Sequence, residues 1–535
     1  MSWLWPFRAP PQAGFTQEAI AFTAAILILL PLLFSKIRVQ ASSVLCLGLA
    51  AIPMLQNWFG LIPFSGSAWL LSIYLAAFSL MLLAGNQMVG RQESIVPFAA
   101  ILAAAFLFAA VLSTWIALRQ YFLLADSTWE INHNHGRPYA NLAQPNNLAT
   151  LLGMGLAGCL YFYEKRLLGR LSAGILGLFL MIGIAVTQSR TPWVTTIVII
   201  TLWAVKSKNS KLRLPLFWLI LWVLSYIAIV ISLPHLNDYL QLGGVSLADR
   251  AMASGRLSLW SQLWYAVWNG PFWGYGWNQT IAGQLSVMAE RPLSMMATYS
   301  HNILLDLLLW NGLIPGALIV FAIAIWLARI GYFVNSEEGL FSLVAASFIL
   351  THSMFEYPFA YAYFLLPLGL LLGIANADGP TRYLFQIPRI ALITVILCGL
   401  WILKIALADY NIIKADYQAQ KMAAANVIGF ESNTPISKVV FLTQLKELQR
   451  FRAMEPRSGY DDEELKWMAA VVQQYPHLAN LYRYTLILLM NGKADQAERY
   501  LDLLCKLHGD NFCDQARSEL ENAMGANWGQ MNNKI

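Results

Sequence analysis

Residues 213–233 read RLPLFWLILWVLSYIAIVISL, and from Leu214 to Leu233 no residue carries a charge. At 1.5 Å per residue a helix over that run is about 30 Å long, the thickness of a bilayer's hydrocarbon core. Similar runs recur near 17–35, 41–59, 67–89, 95–118, 141–163, 169–187, 191–207, 302–329, 339–355, 357–376 and 388–408. The composition agrees: 58% of the chain is hydrophobic and 12% charged, where soluble domains carry about 25% charged residues. After Lys404 the composition becomes that of an ordinary soluble helical protein. The predicted fold is all-α, a polytopic membrane helix bundle of about twelve spans over 1–408, followed by a soluble C-terminal domain over 409–535.

Orientation follows from where Lys and Arg collect. One set of alternate loops holds Lys36, Arg38, Arg91, Lys165, Arg166, Arg170, Lys206, Lys208, Lys211, Arg213, Arg329, Arg382 and Arg389, whereas the other short loops hold only Arg119, Arg137 and Arg190. The first set is expected in the cytoplasm. The 119–140 loop, Arg190, the long 234–301 loop, Glu356–Tyr357 and the tail are then expected in the periplasm of a bacterial inner-membrane protein. The N-terminus falls on the same side, so a further helix is expected upstream of Met1. The first apolar run lacks a small-residue cleavage site and reads as an anchor, not a signal peptide.

The net charge of +6 is dispersed among loops, which gives no nucleic-acid-binding patch. Cys46, Cys159 and Cys398 fall in apolar helices and read as packing residues, while Cys505 and Cys513 can pair if the tail meets an oxidising compartment. Neither a CxxC nor an HExxH occurs, so nothing suggests structural zinc. In the tail, His477–Leu507 gives two amphipathic helices joined at Asn491-Gly492-Lys493, an α-hairpin in the style of one tetratricopeptide (TPR) unit. Asp461-Asp462-Glu463-Glu464 reads as a solvated helix start.

Arginine at a membrane face is usually an interfacial anchor. Arg190 departs from that pattern, because it follows Thr187-Gln188-Ser189 in a tight turn on the side where positive charge is scarce. A guanidinium is always charged and forks onto phosphate oxygens. Arg256, in Ser254-Gly255-Arg256, opens an amphipathic stretch from Leu257 to Trp268. His301 lies in Tyr299-Ser300-His301-Asn302, where the long loop re-enters the membrane; it is either a capping residue or a base near neutral pH. Asp306 follows at membrane depth and needs a partner, with a helix-packing hydrogen bond its expected role. Glu356 and Tyr357 end another span on the same face, holding the His or the acceptor, or simply joining an aromatic belt with Phe359, Tyr361 and Tyr363. Gln144, Asn146 and Asn147 flank Pro145 at a span mouth, where amides are costly in lipid unless they face a cavity. Arg291 is an auxiliary candidate or a loop surface residue.

Taken together these positions resemble the O-antigen ligase superfamily (WaaL/Wzy-like), and within it the PglL-type protein O-oligosaccharyltransferases. The resemblance rests on Gln144-Pro145-Asn146, Gln188-Ser189-Arg190-Thr191, Ser254-Gly255-Arg256, His301-Asn302 with Asp306, Trp310-Asn311-Gly312, Pro315-Gly316 and Glu356-Tyr357-Pro358. It covers roughly 120–375. It implies a glycosyltransferase that moves an oligosaccharide en bloc from undecaprenyl diphosphate to Ser/Thr hydroxyls of pilin or other periplasmic proteins, with no cofactor and no metal. On this reading His301, Arg190 and Arg256 are catalytic: the arginines hold the diphosphate, and His301 is either the base or a third diphosphate contact. Gln144, Asn146, Arg291, Glu356 and Tyr357 bind substrate. An O-antigen ligase acting on lipid A core, an O-antigen polymerase and a membrane transporter are the rival readings. A transporter would place its ionisable residues near the bilayer midplane at a repeat interface, whereas here they sit at external helix ends.

Overall fold

The computed structural model describes residues 1–89, 98–133, 136–208, 212–241, 255–380, 382–425 and 436–524. Arg91, Lys211, Ser254 and the 242–253 part of the long loop lie outside the described residues. The chain is all-helical apart from one short ribbon, in which Ile37–Gln40 pairs antiparallel with Tyr383–Ile387. By length and composition, eight of the described helices are long and apolar enough to cross a membrane. Each of the twelve apolar runs contains a helix, but several are shorter or broken. Run 41–59 divides into Ala41–Leu49 and Ile52–Trp58, and run 302–329 divides at Gly312 into Ile303–Asn311 and Leu313–Phe333. The last run continues past residue 408, as one helix from Arg389 to Ala424.

Two compact units emerge, and neither is a simple segment of the chain. The first comprises Met1–Ala50, Ile73–Ser254 and Ala322–Lys404; the second comprises Ala51–Ser72, Gly255–Phe321 and Ile405–Ile535.

In the first unit the helices Phe98–Tyr121, Pro145–Glu164, Arg170–Thr187, Thr191–Lys206, Glu337–His352 and Ala362–Asn376 pack around Phe106, Leu148, Leu152, Leu180, Ile349 and Phe364, all nearly inaccessible. Lipid is as apolar as leucine, so such helices associate through close packing, not hydrophobic burial. Small residues permit that approach: a Cβ on Gly158 would press against the backbone carbonyl of Ala103. Prolines sit in first turns, at Pro145 and Pro192, where the missing N–H costs nothing.

In the second unit the tail helices Thr443–Ala453, Asp462–Gln474, Leu478–Met490, Ala494–His508 and Asp510–Met524 each pack on the next. Their core includes Phe451, Met468, Val471, Leu481, Tyr484, Leu488, Leu504 and Leu520. Burying each such side chain is worth about 1.5–3 kcal/mol in water, so this part holds together by ordinary hydrophobic burial. The acidic run is a capping box, with Asp461 accepting from the Glu464 N–H and Glu464 reaching back to the Asp461 N–H. Cys505 and Cys513 form a disulfide, closing the turn between the last two helices.

Candidate active site

In the first unit, helix Arg170–Thr187 ends because Gln188 turns left-handed, with φ +49°. Ser189 follows, and Arg190 becomes the N-cap of Thr191–Lys206 with unstrained backbone angles of −85° and −21°. The turn is locked from behind. Asn146, at the second position of helix Pro145–Glu164, accepts at Oδ1 from Ser189 Oγ at 2.8 Å and from Arg137 Nη2 at 3.0 Å. Its Nδ2 donates to Glu356 Oε1 at 3.1 Å. Arg137 Nε donates to the Thr187 carbonyl at 2.6 Å, covering a bare acceptor at that helix end. Glu356 is buried. Arg190 itself is exposed, and among the described residues its guanidinium makes no hydrogen bond or ion pair. The geometry is a fixed turn presenting one uncommitted cation.

Gln144 occupies the N-cap of helix Pro145–Glu164 with extended backbone, half-buried. Tyr357 lies beside Tyr361, with ring centroids 6.0 Å apart, and Tyr361 stacks on Tyr363 at 5.1 Å. Glu356 belongs to the network of Asn146.

The second unit carries Arg256, Arg291 and His301. Gly255 adopts φ +54° and Arg256 opens the helix Arg256–Asn269, half-buried. His301 is half-buried and is itself left-handed, with φ +59°. Its neighbour Ser300 is clamped on both backbone groups. The Ser300 N–H donates to Asp306 Oδ1 at 2.9 Å, and the Ser300 carbonyl accepts from Trp260 Nε1 at 2.8 Å. Trp260 lies one turn beyond Arg256, so this bond ties the Arg256 helix to the His301 turn. Asp306 also accepts from Thr280 Oγ1 at 2.9 Å, which in turn accepts from Trp310 Nε1 at 2.9 Å. On the other side of His301, Asn302 caps helix Ile303–Asn311 by accepting from the Leu304 and Leu305 N–H groups. Both bonds fall on Oδ1, which fixes the backbone beside His301, while the buried Oδ2 has no hydrogen-bond partner among the described residues.

The break at Gly312 serves the same assembly. The Tyr275 and Gly276 N–H groups donate to the Leu309 and Trp310 carbonyls at 3.0 and 3.1 Å. Gly312 has φ +85°, and a Cβ there would collide with the Phe272 carbonyl, so the loop can fold onto the helix end only at a glycine. Arg291 is exposed and lies 5.1 Å over the Tyr265 ring, and its carbonyl accepts from Gln262 Nε2. The structure therefore gathers Asn146 and Glu356 behind Arg190 in one unit, and Arg256 and His301 in the other. Arg137, Trp260 and Thr280 were not singled out in the sequence. Arg137 stood there only as a rare positive charge on the sparse face, which was its one available signal.

Three family profiles match the chain in succession. "Protein glycosylation ligase" matches residues 138–162, "O-Antigen ligase" residues 173–321, and "Virulence factor membrane-bound polymerase, C-terminal" residues 341–523. They take in Gln144 and Asn146, then Arg190, Arg256, Arg291 and His301, then Glu356 and Tyr357. The chain is 31% identical over 523 residues to the general O-oligosaccharyltransferase of Acinetobacter baylyi, covering 96% of this chain and 91% of that one. The chain belongs to the PglL-type protein O-oligosaccharyltransferases. A second relative of this oligosaccharyltransferase, the ComP-specific O-oligosaccharyltransferase of the same organism, is 35% identical over 269 residues, 49% of this chain and 47% of that one. No solved structure matches the chain. The oligosaccharyltransferase is a multi-pass membrane glycosyltransferase of protein O-glycosylation, and the ligase, polymerase and transporter readings are not favoured.

Proposed function

We propose that this oligosaccharyltransferase transfers a glycan en bloc from undecaprenyl diphosphate to a Ser or Thr hydroxyl of a pilin or another periplasmic protein. The acceptor Oγ attacks the anomeric carbon, the carbon–oxygen bond to the diphosphate breaks, and undecaprenyl diphosphate leaves. Arg190 and Arg256 hold the diphosphate and stabilise the charge that develops on it. His301 takes the hydroxyl proton or adds a third diphosphate contact. Gln144, Asn146, Arg291, Glu356 and Tyr357 bind substrate around these groups.

The observation that carries the reading is the Arg190 turn. A network of the half-buried Arg137 and Asn146 with the buried Ser189 and Glu356 holds it, yet its guanidinium stays exposed. An interfacial anchor needs no such frame. With about twelve spans over 1–408 and the positive-inside bias, this turn, the 234–301 loop and the 409–535 domain would lie on the periplasmic side of the inner membrane. The disulfide between Cys505 and Cys513 supports an oxidising compartment for the tail. The 234–301 loop and the tail, with its proposed TPR-like hairpin Leu478–Met490 and Ala494–His508, would form the platform for the acceptor protein.

The test is reconstitution. Purified enzyme, undecaprenyl-diphosphate-linked oligosaccharide and a pilin acceptor are incubated and read by intact mass. One glycan mass on a pilin Ser or Thr is expected. Glycan added only to a lipid-linked glycan or to lipid A core would contradict the reading.

A further inference from the structure

Within the first unit, a cavity of about 570 Å³ opens among the helices Pro145–Glu164, Arg170–Thr187, Thr191–Lys206, Leu216–Leu240 and Glu337–His352. That is the size of a small-molecule site, and its walls are mostly apolar. It lies along one stripe of helix Arg170–Thr187, where Arg170, Gly174, Gly177, Met181 and Ile184 recur at three- and four-residue spacing and so share a face. The stripe is made hollow by its glycines. A Cβ on Gly174 or Gly177 would meet nothing nearer than the Trp222 ring, at 3.8 and 4.0 Å. A Cβ at either position would thus make an ordinary van der Waals contact with Trp222, so neither glycine relieves a tight contact.

One end of the cavity carries two arginines, with the Glu164 carboxylate beside them accepting from the Arg213 and Leu214 N–H groups at 2.6 and 2.9 Å. Arg170 and Arg213 both line it. Arg213 is held in place: its Nη1 donates to the Tyr163 and Leu168 carbonyls at 2.7 and 3.3 Å, and its guanidinium stacks on the Tyr163 ring at 4.1 Å. Among the described residues its Nε and Nη2 remain uncommitted, and Arg170 is exposed and makes no hydrogen bond. This end is far from Arg190. Arg170 begins the helix that Thr187 ends, so the two ends are about 26 Å apart along the axis. A pair of guanidiniums over an apolar slot between membrane helices has the form of a site for an anionic lipid headgroup with its chain below.

We propose that the cavity binds one anionic phospholipid from the leaflet opposite the Arg190 turn, its phosphate between Arg170 and Arg213 and an acyl chain against Gly174 and Gly177. The site stands whether or not the catalytic assignments above are right, because it shares no residue with them. Its inner end reaches Pro192, in the first turn of the helix that Arg190 caps. An occupant would thus fill the space beneath that turn.

The full-length protein, delipidated in detergent, is titrated with dioleoylphosphatidylglycerol or dioleoylphosphatidylcholine and read by native mass spectrometry. One phosphatidylglycerol is expected to bind at least tenfold more tightly than phosphatidylcholine. Arg170→Glu should remove that preference, and Gly177→Leu should weaken the tight adduct at least tenfold. Arg170→Gln answers the same question if the charge reversal lowers the melting temperature. Equal affinity for the two lipids in the unaltered protein would overturn the proposal, as would a preference that survives both substitutions. It also falls if undecaprenyl diphosphate displaces the phosphatidylglycerol adduct one for one with Arg170→Glu changing neither, since the cavity would then belong to the donor's polyprenyl tail.

Discussion

The turn that carries Arg190 and the turn that carries His301 each contain a left-handed residue, but they distribute the strain differently. Beside Arg190 the positive φ falls on Gln188, and the arginine keeps ordinary angles. At His301 the functional residue is itself left-handed, a conformation that costs a side-chain-bearing residue roughly 1–2 kcal/mol. The first turn is braced by side chains of neighbouring helix ends, through Asn146, Arg137 and Glu356. The second is braced through backbone, with the Ser300 N–H on Asp306 and its carbonyl on Trp260. A charge that only has to meet phosphate can sit exposed at the end of a rigid helix. On the proposed reading His301 meets a hydroxyl proton or a phosphate oxygen, and its turn is held by Asp306 and Trp260 despite the positive φ.

The comparison breaks most readily at His301. His301→Ala is expected to lower transfer about 10²–10⁴-fold if the imidazole is the base, at unchanged membrane insertion. His301→Asn separates chemistry from shape, because Asn tolerates the left-handed region well. It should keep the turn and be as inactive as the alanine variant; substantial activity in the asparagine variant, measured by glycosylated acceptor per enzyme, would make His301 a turn former only.

Arg190→Lys should cost less. Lysine keeps the charge and loses the fork, and a charge-assisted hydrogen bond is worth about 1.5–3 kcal/mol, or roughly 10- to 100-fold in kcat/KM. Free exchange of Arg for Lys would leave the braced turn without a phosphate to hold.

The smallest effect is expected at the disulfide, which lies in the tail core and not in either turn. Cys505→Ser with Cys513→Ser opens a loop of sequence separation 8, which the chain-entropy account puts at about 2–3 kcal/mol. The tail should unfold at lower denaturant by circular dichroism, while transfer to a small peptide acceptor stays within about twofold.

How much of this could be read beforehand differs between the turns. The apolar runs announced the helices, since a membrane helix needs only composition and length. Arg190, His301 and Asp306 stood out because polar groups at helix ends in lipid are rare. The break at Gly312 did not, for the leucine-rich run continues on both sides of Asn311-Gly312 and nothing local says that Phe272 folds back onto it. Nor could Arg137 be matched to the Thr187 carbonyl, an acceptor supplied by backbone fifty residues away. Where the bracing is made by backbone or by distant loops, the sequence carries only half of each contact.

The proposed reaction has Arg190 and Arg256 act on one diphosphate. The direct measurement is a double-mutant cycle in kcat/KM for lipid-linked oligosaccharide, using Arg190→Lys, Arg256→Lys and the pair. Groups acting on one transition state are coupled, by about 0.5–3 kcal/mol. The paired variant should therefore differ from the product of the single losses by roughly twofold or more. A paired loss equal to that product would mean that the two arginines act independently, and the shared diphosphate site would be wrong.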